Sequence, residues 1–368
     1  MIVVVARLAL ATLLVLFVLD AGWRPKVAGR AGDEHVDRAG GEGEHWHDLL
    51  EQAAEAGRQR AYQGRLVVVR FDEQGPTLGE VSVTQGSDGT LRTDNAQRWM
   101  LGRVNGEAFF GDPDSGTLLW LGNVERTGFS LARLSQNYEV AVEDRRSIET
   151  GPADVITLRE PGSALPRERL YVDAESRLVV RRETFDARGL PVRLAAFTDL
   201  ELVPAPVPPL GYDWRHVLRP VQSDLSGRAV EILRDVGWVV PERLPRHFTL
   251  VDASAIGQGE GSSLHLLYSD GLYMLSVYEQ HGRLDEKALD AEGAEDTSLG
   301  GLRLYRWPGS EPAAYGWNGE DIAFTAISDA PPDVLAVTLV GLPRDDPSLL
   351  RRLRRGLSRF REWAWPFD

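Results

Sequence analysis

The chain of 368 residues carries a formal net charge of −14, an ordinary apolar fraction of 43% and no cysteine. Its length leaves room for two domains with separate cores, while the acidic balance argues against nucleic acid as a partner, because phosphates need a basic surface. The missing cysteines exclude disulfides, thiolate catalysis, zinc fingers, iron–sulfur clusters and lipid attachment at a cysteine.

Leu8 to Leu19 is an apolar run behind Arg7. It is short for a membrane span and fits the core of a signal peptide; with Met1 to Ala6 counted in, an uncleaved N-terminal anchor is the alternative. Residues 1–22 are read as this leader or anchor. Residues 23–44, rich in glycine and charge, are read as a flexible tether. Trp46, Leu49, Leu50 and Ala53 then recur at helical spacing, which predicts a short amphipathic helix over the first sheet. After Tyr62 the pattern turns strand-like at Arg65–Phe71, Leu78–Thr84, Leu118–Leu121, Val155–Arg159, Glu168–Asp173 and Leu178–Thr184. Phe129–Gln136 is the other helix expected in this half.

Pro204, Pro206, Pro208 and Pro209 lack the backbone donor that a central strand needs. They set a linker at 204–222 between a first domain, 45–203, and a second, 223–368. In the second, Ser226–Asp235 reads as a helix ending before Gly237. Asp270 and Gly271 read as a two-residue turn with paired positive φ, joining strands Leu266–Ser269 and Leu272–Glu279. A strand at Leu302–Trp307, a hairpin turning at Asn318 and Gly319, and a closing strand at Val334–Leu339 follow. Asp346 and Pro347 would cap a last helix, Ser348 to about Trp363. The expected fold class is mainly antiparallel β with flanking helices, α+β.

Searches for chemistry return little. There is no Gly-x-Ser-x-Gly elbow, phosphate loop, His-Glu-x-x-His or dinucleotide fingerprint, so no catalytic residue, metal or cofactor is assigned. His45 and His47 stand two apart on a helix and point to different sides. Asp112 to Trp120 reads as a turn before a strand, with Asn123 where a calcium loop wants glutamate. Trp99, Phe109, Phe110 and Trp120 either fill the core or line an apolar groove for an acyl chain. Tyr268, Tyr273 and Tyr278 do not share one face and read as mixed packing. Near the C-terminus, Leu349, Leu350, Leu353, Leu357 and Phe360 form a stripe beside Arg351, Arg352, Arg354, Arg355, Arg359 and Arg361, followed by Trp363 and Trp365. This helix either caps the second domain or presents a basic face to an anionic membrane or to an acidic exported segment of a partner.

Several segments resemble one family. Gly237 to Phe248 (GWVVPERLPRHF) with Leu266 to Gln280 (LLYSDGLYMLSVYEQ) is similar to the C-terminal domain of the MucB/RseB family, which regulates envelope-stress sigma factors from outside the cytoplasmic membrane. His45 to Phe71 resembles the opening helix and first strand of that family, and Arg167 to Leu202 the last strands of its first domain. Thr93 to Phe110 departs from it by lacking an acidic Glu-Arg-Leu run. The resemblance implies an open half-barrel like that of the lipoprotein carrier LolA, then a smaller β-sheet domain. It also implies a non-enzymatic, exported regulator that binds a membrane anti-sigma factor and senses lipid or misfolded envelope protein. A lipid or lipoprotein carrier without a signalling partner is the competing reading.

Overall fold

In this computed structural model the residues described are 42–72, 75–88, 90–95, 100–104, 107–112, 116–123, 130–203, 215–218, 221–222, 227–256, 262–291, 293–307, 313–319 and 321–344. The leader, nearly all of the tether, Trp99, residues 204–214 and 219–220 of the stretch read as linker, and the segment read as a C-terminal basic helix, with Arg351, Arg352, Arg354, Arg355, Arg359, Arg361, Trp363 and Trp365, lie outside them.

Helix α1 (Glu42–Gln59) begins inside the stretch read as tether. It buries Leu49, Leu50 and Ala53, the spacing that the sequence predicted. Strands β1 (Tyr62–Asp72), β2 (Gly75–Gln85), β3 (Leu91–Asn95), β4 (Met100–Val104), β5 (Glu107–Asp112) and β6 (Thr117–Asn123) run as one antiparallel meander. Helix α2 (Leu131–Asn137) follows, with Ser130 Oγ accepting from the Arg133 amide at its start. A second meander holds β7 (Glu139–Ile148), β8 (Gly151–Arg159), β9 (Pro166–Asp173), β10 (Val179–Phe185) and β11 (Pro191–Leu202). The two meanders join through β1 and β11, and a short β12 (His216–Leu218) adds parallel to β6, which makes a 12-stranded open sheet. Alternation sets its buried face: Leu66 and Val68 of β1 lie beside Val81 and Val83 of β2 and Ala195 and Phe197 of β11.

The second sheet has eight strands in the order β13-β14-β15-β16-β20-β19-β18-β17. They are β13 (Val221–Gln222), β14 (Thr249–Ile256), β15 (Ser263–Ser269), β16 (Met274–His281), β17 (Glu295–Leu299), β18 (Leu302–Arg306), β19 (Ala313–Gly319) and β20 (Ile322–Ser328). Helix α3 (Gly227–Asp235) precedes β14 and closes on Gly237 at φ 95°, where the Trp238 amide donates to Leu233 O. The central strands β15, β16 and β20 are buried along almost their whole length, because both faces of the sheet are covered. One face meets Leu289 of the short helix α4 (Glu286–Ala291) and Trp307. The other shares a single apolar core with the first sheet and helices α1 and α2: Leu49, Leu134, Ile156 and Val172 pack in one cluster with Phe248, Tyr268, Tyr273 and Phe324. Burying each such side chain stabilises the fold by about 1.5–3 kcal/mol, so this seam adds to the stability of both sheets.

Three local expectations are corrected. The β15–β16 loop has four residues, since Ser269 pairs with Met274; Gly271 alone among them has positive φ (100°), and Asp270 serves the loop through its carboxylate. The β19–β20 hairpin turns after Gly319, which pairs with Ile322, so Asn318 and Gly319 are strand residues. Val334–Leu339 is not a strand: Pro332–Thr338 is helix α5, running into a 3-10 turn at Leu339–Gly341. Pro332 fixes the first-turn φ, and Val334, Leu335, Thr338 and Leu339 recur at helical spacing on the buried side.

Candidate functional site at the junction of the sheets

Polar chemistry is concentrated where the two sheets meet. The tip of the β15–β16 hairpin enters that junction and docks on α2. A Cβ added at Gly271 would stand 2.5 Å from the Leu134 amide nitrogen, so only glycine lets the two backbones touch there. Beside it Asp270, 1% exposed, accepts from the Leu272 and Tyr273 amides through Oδ1 (2.8 and 2.7 Å) and from the Tyr138 hydroxyl through Oδ2 (2.6 Å). Its main-chain oxygen accepts from Asn137 Nδ2 at 2.6 Å. Burial pushes the Asp270 carboxyl up to about 6, against the pull of the Tyr138 hydroxyl and the two amides. Burial also raises Tyr138 well above the usual phenol range, assisted by the Asp270 charge.

Beneath the tip lies a buried charge network. Arg182 of β10 donates Nε and Nη2 to the two oxygens of Glu168 on β9 (2.9 and 3.2 Å), and Nη2 also reaches Asp329 Oδ2 at 3.3 Å. Asp329, in the turn after β20, accepts the Met274 amide through its other oxygen at 2.8 Å. Arg193 of β11 stands 4.0 Å from the same carboxylate. Burial alone would lower the Arg182 pKa, yet Glu168 and Asp329 outweigh it and raise it, so the guanidinium stays charged. Fork geometry suits arginine to such a bidentate, two-carboxylate position.

A third contact group borders the network. Arg167 donates Nε and Nη2 to Glu160 Oε1 (2.9 and 2.7 Å), and its Nη1 lies 2.8 Å from Asp333 at the start of α5, close but off the hydrogen-bonding direction. Arg246 joins Glu160 at 3.2 Å. It comes from a tight loop, Pro245 to His247, closed by the Leu244 amide on Phe248 O. Arg246 and His247 both sit at φ 63°, a conformation that costs non-glycine residues energy and is held here by the packing around it. Burial would raise the Glu160 carboxyl, but Arg167 and Arg246 hold it below its ordinary value. Deeper in the second sheet, Glu279 accepts the Val239 amide at 2.9 Å through one oxygen while the other has no hydrogen-bond partner among the described residues, and burial lifts the carboxyl to about 8. His265, stacked on Tyr278 and bonded to Ser276, is depressed to about 4 by burial.

The residues named as candidates from sequence fall elsewhere. Phe109 is buried, with its ring packed on Gly102, while Phe110 and Trp120 lie on β5 and β6, where Phe109 pairs with Trp120 and Phe110 with Leu119. Tyr268 and Tyr273 belong to the core shared with the first sheet and Tyr278 to the cluster on the opposite face, so the three form no single patch, although it is Tyr278 and not Tyr268 that stands apart. On α1, His47, Asp48 and Glu51 bring one ligand atom each within 4.8 Å, on an exposed helix face where acidic groups commonly gather without an ion. Sequence reading missed Glu168, Arg182, Asp329 and the tertiary role of Asp270. One signal was present: Glu168 shares strand parity with Leu170 and Val172, and Arg182 with Val180, which places charge on an apolar face.

Compared with described protein families and with curated proteins, the sequence matches none. Among solved structures the chain is similar to MucB in the MucA/MucB complex of Pseudomonas aeruginosa, at 20% identity, covering 81% of this chain and 99% of that one with a TM-score of 0.47. It is similar to MucB crystallised alone at 19% identity, covering 80% and 96%, with a TM-score of 0.48. A LolA superfamily protein from Nitrosomonas europaea matches 44% of the chain and 94% of its own length, at 11% identity and a TM-score of 0.23. The chain is thus similar to MucB along about four-fifths of its length, and to a LolA superfamily protein along less than half.

Proposed function

We propose that the protein is a non-enzymatic regulator outside the cytoplasmic membrane that binds the exported segment of a membrane anti-sigma factor. The observation that carries this reading is where the family-like segments fall. His45–Phe71 covers most of α1 and nearly all of β1, Arg167–Leu202 covers β9 to β11, and Leu266–Gln280 spans the hairpin whose tip docks on α2. Three segments far apart in sequence therefore meet around one junction, the first through Leu49 and Leu50 in the shared core and the other two through Arg167 and Tyr273. MucB has been crystallised with MucA(peri), which supports a partner of this type. Direct titration calorimetry of the exported chain against the exported segment of a single-span anti-sigma protein, encoded beside a sigma factor in the same genome, tests it. Saturable binding that also slows proteolysis of the segment is expected; neither effect appearing would overturn it.

The finer mechanism is a competition in which a lipid or misfolded envelope protein occupies the first domain and weakens the partner complex, which requires unequal affinity for the two states. Phe109 is enclosed by core, so an acyl-chain groove would rest on Trp99, Phe110 and Trp120. The carrier reading predicts lipid binding that the anti-sigma segment leaves unchanged. The C-terminal arginines are proposed to face an acidic segment of the partner or an anionic membrane; changing all six to glutamine should abolish salt-sensitive binding to both.

A further inference from the structure

Asp270 is a buried carboxylate at a contact between two sheets, and the groups around it allow both of its charge states. From α2 come the Tyr138 hydroxyl, the Asn137 amide and Arg133, whose own pKa is lowered by burial and lifted in part by Asp270. From its own loop come the two amides and Tyr273, whose ring meets that of Tyr138 edge-on at 6.4 Å and whose hydroxyl donates to Arg167 O. Asp329, from the turn after β20, opposes its ionisation. Glu168, Arg182 and Arg167 lie behind Tyr273, and Glu160 acts on Tyr138 from the end of β8. Among the described residues, both amides bond Oδ1, whereas Oδ2 takes the Tyr138 hydroxyl alone. A proton on Oδ2 therefore costs no contact: it donates to the Tyr138 oxygen, and the phenol exchanges its donor role for an acceptor one.

We propose that the hairpin tip is a proton-linked latch, in which proton uptake by Asp270 tightens the hold of the second sheet on α2 and proton release loosens it. The sign follows from linkage. Docked, the carboxyl titrates at about 6 instead of its ordinary 3.8, so docking takes up a proton. The added hold is complete below the ordinary value and is lost as pH rises through about 6. The ratio of the two acid constants sets the full range at about a hundredfold in the docking equilibrium. An extracytoplasmic protein meets such a pH range directly, and the junction is where the proposed partner-binding segments converge.

The full chain lacks cysteine, so spin labels can be placed uniquely at Glu80→Cys in β2 and Ser298→Cys in β17, both exposed. Urea titrations of the interlabel distance between pH 4 and 7.5 would read the equilibrium between docked and separated sheets. The expected result is a separation constant that rises up to about a hundredfold from pH 4 to 7.5 in the parent and markedly less in Asp270→Asn. Glu279 titrates in the same direction, so the difference between parent and variant is the quantity that counts. Tyr138→Phe keeps the titrating group but removes the donor to its ionised form; its midpoint should move upward. It decides the matter if Asp270→Asn fails to fold. Identical pH dependence in the parent and Asp270→Asn, or an unmoved midpoint in Tyr138→Phe, would overturn the latch.

Discussion

Arg182 and Asp329 face each other across the two sheets at 3.3 Å, each less than a tenth exposed. The pair is not isolated: Glu168 takes the other side of the guanidinium, and the Met274 amide takes the other oxygen of Asp329. The arrangement therefore fixes the relative position of the sheets at one geometry, since any slide strands a buried charge.

Removing Asp329 should be costly for that reason. Asp329→Ala leaves the Met274 amide without its acceptor and Arg182 with one carboxylate in place of two. A loss of about 3–5 kcal/mol is expected from breaking one side of such a pair, measured as a shift of the urea midpoint at constant slope. A loss below 1 kcal/mol would mean that water fills the site.

Gly271→Ala combines two penalties that a second glycine separates. Gly75 has φ 111° and nothing within 4 Å of an added Cβ, so Gly75→Ala reports strain alone, about 1–3 kcal/mol. Gly271→Ala adds a collision with the α2 backbone and should cost clearly more. Equal losses in chemical denaturation would show that the tip is not seated on α2.

Glu279→Gln should stabilise the protein at alkaline pH. With its pKa raised to about 8 by burial, the parent takes up a proton on folding. That contribution is complete below the unfolded pKa and lost as pH rises through 8. Melting curves of parent and variant should converge near pH 4 and separate above 8, with the variant higher; a variant that is less stable at pH 9 contradicts the assignment.

Protease cleavage within 204–222, where the prolines interrupt the sequence, should give two fragments that stay together. The shared core and the Arg182, Arg167 and Tyr138 contacts span both. Size-exclusion chromatography of the nicked chain should show one peak under native conditions; two peaks would mean the junction is weak.

Sequence periodicity located elements with local causes. The α1 stripe, the strands of the second meander and the Ser130-capped α2 follow from side-chain spacing and caps. Three turns or elements were misread where a tertiary partner decides. Asp-Gly normally signals a tight turn, but Asp270 takes its third donor from Tyr138, 132 positions away. Val334 to Leu339 has strand-like residues, yet Pro332 and the packing of Val334 and Leu335 favour a helix. The charge network was only half legible: strand parity puts Glu168 and Arg182 among apolar neighbours, but their partner Asp329 comes from the second sheet, 147 positions from Arg182.

The order of strands in the larger sheet also bears on how fast it forms. Each meander is built from neighbours in sequence, but the seam between them pairs Tyr62 with Leu202 and Val68 with Ala195. Closing so long a loop is entropically late and slow. During folding the two halves would exist first as separate unfinished sheets, each with a bare edge open to mispairing until β11 reaches β1. Chaperone dependence should therefore be concentrated at that seam, in strands that look well protected once folding is complete.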